Sequence, residues 1–165
     1  MKYLIILLLV ITQQTALSQT HTSTVVISDG ISLTGIIKQF VPSKHNIDTC
    51  KDEFNNKYIC KIDGKAWFGS DRSLELPRNQ LVSLNIEIAR KSIKLDVSKM
   101  FNVAYSFELQ ARQFKLKEIK GGHLLYSFFS DGAGTYTVYW KIKNNIAKRI
   151  LISSDEKYFS WQYKK

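Results

Sequence analysis

The chain has 165 residues, 24 Lys and Arg against 14 Asp and Glu, a formal net charge of +10, and 12% aromatic residues. A chain of this length makes one domain with a self-sufficient core. Its many rings and moderate charge exclude a disordered body.

The chain opens with Met1-Lys2, nine apolar residues at 3–11, a polar stretch at 12–15, and Ala16-Leu17-Ser18. A charged start, an apolar run and small residues before a cut have the pattern of a secretory signal peptide. The run is well short of the roughly 20 residues that span a bilayer. Residues 1–18 are therefore expected to be removed, leaving residues 19–165 as one secreted or periplasmic domain with no transmembrane segment. The cut takes away one lysine and no acid, leaving 23 basic residues against 14 acidic.

Beyond it, every strong periodicity has a period of two. Residues 24–28 and 32–40 flank Asp29-Gly30, a dipeptide that tolerates positive φ and closes a hairpin. Residues 41–56 form a long irregular loop, a length that is uncommon unless functional. Cys50 and Cys60 bracket its far end, and an even cysteine count in an exported chain points to a disulfide. The bond would close a loop of about 11 residues, contributing about 3 kcal/mol. A metal pair or free thiols are the alternatives, but no His or Cys stands beside them at ligand spacing.

Residues 57–62 and 65–69 flank Asp63-Gly64 in the same hairpin pattern. Alternation puts Trp67 and Phe68 on opposite faces, one ring buried and one more exposed. No segment carries a 3.6-residue stripe over three turns, and short helical turns are the expected exceptions, at 76–81, after Pro77, and at 98–102. Between them Val82, Leu84, Ile86 and Ile88 share one strand face, and Ile93, Leu95 and Val97 continue it after a turn at Ala89-Arg90-Lys91. A weaker strand is expected at 103–109, with Tyr105 and Phe107 on one face. Two more hairpins follow, 114–119 with 123–130 and 135–143 with 146–153, and a last edge strand at 158–163. About ten short strands joined by local turns predict an all-β, antiparallel single domain, either a sandwich or a barrel.

No catalytic set stands out. There is no Gly-x-Ser-x-Gly elbow. His21, His45 and His123 lack an evident partner, and Asp52-Glu53 and Asp155-Glu156 are adjacent pairs whose members point apart. A carbohydrate hydrolase would need carboxylates from separate strands, such as Asp131 with Glu108. No metal motif and no cofactor motif occurs. The segment from Ser130 to Tyr136, with Asp131, Gly132 and Gly134, bares its backbone; it is either a hairpin loop with positive φ or an approach for a ligand's polar groups.

In 135–143, Tyr136, Val138, Trp140 and Ile142 share the core face, which leaves Thr135, Thr137, Tyr139 and Lys141 on the other. In 158–163, Phe159, Trp161 and Tyr163 share one face. If the last hairpins neighbour each other, Lys115, Lys117, Lys120, Lys141, Lys143, Lys148 and Arg149 make a cationic face that attracts anionic partners. Lysines that only keep the domain soluble and blunt its sheet edges are the competing explanation. Nucleic acid is disfavoured, since no binding motif is present.

These observations lead to an exported, non-enzymatic binding domain of the bacterial envelope or extracellular space. Its partner would be an anionic glycan, a lipid or a protein, with Trp67, Phe68, Asp131, Tyr139, Lys141, Lys148 and Trp161 as candidate contacts. An inhibitor or immunity-type partner of a secreted enzyme, using residues 41–56, is the second reading, and the hydrolase a distant third.

Overall fold

A computed structural model describes residues 19–69, 75–104, 106–130 and 134–162. The expected signal peptide, Tyr105, Asp131 and the end of the chain from Tyr163 lie outside the described residues.

Ten strands form in chain order: β1 (Thr20–Ser28), β2 (Ile31–Gln39), β3 (Ile47–Lys51), β4 (Lys57–Ile62), β5 (Asn79–Ile88), β6 (Lys91–Lys94), β7 (Phe114–Ile119), β8 (Gly122–Ser130), β9 (Thr135–Lys143) and β10 (Ile146–Ser153). They make two four-stranded antiparallel sheets, β1-β2-β5-β6 and β10-β9-β8-β7, and a separate β3-β4 hairpin. The two larger sheets do not close into a barrel; they face each other as a sandwich.

Alternation explains the layers. Leu33 and Ile37 on β2, Leu84 and Ile86 on β5, Leu125 and Phe129 on β8, and Tyr136, Val138 and Trp140 on β9 are all fully buried in one shared core. Gly35 sits among them because a Cβ there would lie 2.7 Å from a Leu109 methyl. The turns are those that strand twist demands, with Asn144-Asn145 at φ 52° and 61°, and Ala89-Arg90 at φ 50° and 64°.

A second, smaller cluster joins the β3-β4 hairpin to the end of the sandwich: Phe40, Ile59, Ile62 and Phe101, with Trp67 against them. Cys50 and Cys60 are bonded, with Cα atoms 5.6 Å apart, and staple this hairpin. Cys60 is the extra residue of a bulge in β4, between the pairs Asp48–Lys61 and Thr49–Ile59.

Several local expectations are corrected. Residues 41–56 are not one irregular loop: a 3-10 turn at Pro42–Lys44 leads into β3. Val82 does not share the face of Leu84. The register of β2 on β5 passes from Ile36–Ser83 to Ile37–Leu81, so Val82 is a bulge residue, and Leu81 takes the core position. Residues 76–81 form no separate turn, because Asn79 already opens β5. The reversal at Asp63-Gly64 forms, but 65–69 makes only single bridges, Ile62–Lys65 and Phe68–Met100. Residues 103–104 and 106–109, the described part of the expected strand at 103–109, form no strand. The final edge strand is instead a 3-10 turn at Glu156–Tyr158, followed by a turn that Tyr139 fixes by donating its hydroxyl to the Tyr158 carbonyl at 2.6 Å.

The strap from Asp96 to Arg149 ties the open edges of the two sheets. Arg149 Nη2 lies 2.9 Å from Asp96 Oδ2, and Asp96 Oδ1 accepts the Ser98 N–H at 2.9 Å. Trp140 Nε1 donates to the Asp96 carbonyl at 2.9 Å. Burial pushes the Asp96 carboxyl up, but the bonds from Ser98 and the charge of Arg149 outweigh it and hold it below the usual aspartate value. A carboxyl whose folded pKa is depressed stabilises the fold above its unfolded value of about 3.9, and that contribution is lost as pH falls through the folded value. Melting temperature should therefore drop below about pH 4. Asp96→Asn should be less stable than the parent at neutral pH and show a shallower acid limb. An unchanged limb in calorimetry would remove Asp96 from the account.

Candidate functional site

The two outward faces of the sandwich differ in chemistry. On the first sheet Thr20, Thr22, Thr24, Ser32, Thr34, Ser83 and Asn85 alternate with the core residues, making a surface rich in hydroxyls. The second sheet turns out lysines and rings.

Register decides which of those side chains meet. β7 on β8 pairs Lys117 with Leu124, β8 on β9 pairs Leu124 with Lys141, and β9 on β10 pairs Lys141 with Lys148. One cross-strand row thus reads Lys117, Leu124, Lys141, Lys148. The next reads Lys115, Tyr126, Tyr139, Leu151. Neighbouring strands lie about 4.8 Å apart, so the lysine row spans about 14 Å. All four lysines are exposed.

No carboxylate of the four strands offsets them on this face. The only carboxylate in the four strands is Glu118, and it alternates with Lys117 and so belongs to the opposite face. Among the described residues, none of the ion pairs involves these lysines. Lys141 and Lys148 stand directly opposite each other, an arrangement that opposes folding by a few tenths of a kcal/mol or more.

The far end of this face is covered. Phe159 is buried edge-on to Phe128 at 5.5 Å, and Trp161 tilts over Tyr126 at 5.8 Å. Tyr126 and Tyr139 are in edge contact at 4.6 Å. Burial, with Tyr126 beside it, raises the Tyr139 phenol above its ordinary value, which keeps it a neutral donor to Tyr158. Tyr139 is therefore committed to holding the chain's last turn, and the half-buried Trp161 edges the lysine row's apolar flank.

Of the residues singled out from the sequence, Tyr139, Lys141, Lys148 and Trp161 come together on this face. Trp67 and Phe68 do not. They sit where the β3-β4 hairpin meets the sandwich: Trp67 packs edge-on to Phe101 at 5.7 Å, and Phe68 turns toward Tyr136 in the main core. Both rings are half-buried, so neither is the exposed partner expected of the pair. Lys117 and Lys115 belong with Lys141 and Lys148, and the signal was present in the sequence. Two-residue turns at Lys120-Gly121 and Asn144-Asn145 fix the pairs Lys117–Leu124 and Lys141–Lys148.

Glu108 lines a cavity of about 380 Å³ with Arg112, Gln113, Ser130 and Gln162. It is the only carboxylate there among the described residues. No group of three or more metal-ligating side chains occurs among the described residues, and no described helix is long and apolar enough to cross a membrane. In comparisons with known protein families, with curated proteins and with solved structures, no match to this chain was found.

Proposed function

We propose that this chain is an exported, non-enzymatic binding domain of the bacterial envelope or extracellular space, and that the outward face of its second sheet docks an anionic polysaccharide. The observation that carries the reading is the row Lys117, Lys141, Lys148, aligned by register on three strands and free of any outward carboxylate. Like charges set opposite one another cost stability, and a polyanion relieves that repulsion. A line of ammonium groups across a sheet face suits charges repeated along an extended polymer better than the insertion of apolar side chains into lipid. The disulfide supports an oxidising compartment. The test is retention on immobilised polygalacturonate against neutral dextran. Retention on the uronate polymer alone is expected at low salt. Equal behaviour on both matrices would overturn the proposal.

A second reading, an inhibitor or immunity-type partner, is favoured by Phe54. It stands 76% exposed at the tip of the stapled hairpin. Asp52 Oδ1 accepts the Phe54 and Asn56 N–H groups at 2.9 and 2.8 Å, so the tip is preorganised. A rigid exposed ring is the usual anchor of a protein interface, and truncating such an anchor costs about 2 kcal/mol or more. On this reading the parent captures one stoichiometric protein from secreted material, and Phe54→Ala, folded as before, loses it. Capture that survives Phe54→Ala would discard the hairpin tip as the contact.

A further inference from the structure

A cleft of about 440 Å³ opens between the β3-β4 hairpin and the end of β5-β6, on a different surface from the lysine row. Its floor is Trp67. The indole is immobilised, because Nε1 donates to the Ile59 carbonyl at 3.1 Å and the ring lies edge-on to Phe101. The bulge at Val82 turns an exposed apolar side chain into the same cleft.

The cleft lining also carries three positive charges against two negative. Five of its lining residues are charged: Lys65, Lys94, Lys99, Asp63 and Asp96. Both carboxylates are already engaged. Asp63 bonds His45 Nδ1 at 2.8 Å and the Asn46 N–H at 2.9 Å, and Asp96 holds Arg149 and Ser98. None of the three lysines lies within ion-pair distance of a carboxylate among the described residues. A fixed aromatic floor stacks on the apolar C–H face of a sugar, and surrounding ammonium groups select an anionic substituent.

We propose that this cleft binds one acidic sugar unit, a pyranose bearing a carboxylate, with its ring against Trp67 and its charge toward Lys65, Lys94 and Lys99. The unit belongs either to a free sugar acid or to a polyuronate chain.

The test follows the indole N–H resonances of the ¹⁵N-labelled protein during titration with glucuronic acid, glucose or inorganic phosphate. Glucuronic acid moves the Trp67 resonance most, and that of Trp140, whose N–H is bonded to the cleft residue Asp96, less. Lys65→Ala combined with Lys94→Ala weakens the binding by about tenfold, as expected for two partly exposed charge contacts. At about 0.15 M salt, where long-range charge is screened, Lys141→Glu with Lys148→Glu leaves the titration nearly unaltered, which separates this site from the sheet face. Trigalacturonate binding more tightly than the monomer assigns the unit to a polymer, and equal affinity assigns it to a free acid; both support the site. No movement of Trp67, an equal response to glucose, or the same response to phosphate alone would overturn it.

Discussion

Asn102→Ala should be among the most damaging single substitutions in this chain, lowering stability by about 3–5 kcal/mol. Asn102 is buried, and its Oδ1 accepts the Arg78 N–H at 2.7 Å and the Asn79 N–H at 3.4 Å, while its Nδ2 donates to the Gly69 carbonyl at 2.7 Å. Its own N–H reaches the Asn79 carbonyl at 3.0 Å. Asn79, equally buried, donates Nδ2 to the Ala104 carbonyl and accepts the Val103 N–H. Two amide side chains thus tie the start of β5, residues 102–104 and the segment that carries Trp67. Removing that of Asn102 leaves the buried Asn79 N–H, the Gly69 carbonyl and the part-buried Arg78 N–H without this partner, each buried group at a cost of about 1–3 kcal/mol. Gly69 has no room to adjust, since a Cβ there would lie 2.2 Å from the Phe101 carbonyl oxygen. Asn102 also has φ 48°, which Ala tolerates poorly. Asn102→Gly separates the two effects: it accepts the φ and loses the bonds. A melting temperature about 10 °C or more below the parent is expected for both, with Ala the lower. A Gly variant as stable as the parent would place the effect in the backbone and remove the network from the account.

That polar node was invisible in the sequence, and the reason is physical. Hairpins are local, and their turns announce themselves: Asp29-Gly30, Ala89-Arg90 and Asn144-Asn145 all reverse the chain where the alternation breaks. The inward sets of β2, β8 and β9 follow from parity once those turns are placed. Asn79 and Asn102 are 23 residues apart and carry no periodic signal, so nothing local marks them as buried. Bulges fail for a related reason. Val82 and Cys60 leave the pattern because of what the partner strand does, not because of their neighbours in sequence. β3 read as loop because IDTCK is mostly polar, and its one partner, β4, supplies the order it lacks. At the other end, alternating rings suggested a strand at 158–163, but Tyr139 captures the Tyr158 carbonyl and curls the segment over the sheet. The lysine face was legible except for one condition, that the last two hairpins be neighbours. The β8-β9 pairing meets it.

Lys148→Glu should make the protein more stable and a poorer ligand-binder at once. Opposite Lys141, a glutamate converts a repulsive cross-strand pair into an attractive one, worth about 0.2–1 kcal/mol, or about 1–3 °C in melting temperature for a domain of this size. The same change breaks the row presented to a polyanion. Reversing Lys141 as well should reduce polygalacturonate affinity by at least about tenfold at low salt. Net charge alone would produce part of that loss, so the control reverses two lysines of the first sheet, Lys38 and Lys91, with the same total charge. The control should lose only the smaller part that net charge produces. Salt supplies the second check. At about 0.5 M the screening length falls to about 4 Å, and the gap between parent and double variant should close. Lysines kept only for solubility predict something else: equal losses in both double variants, scaling with net charge. Opposite signs for stability and binding at one residue would mean that the repulsion between Lys141 and Lys148 is retained for what the face engages, because folding alone disfavours it.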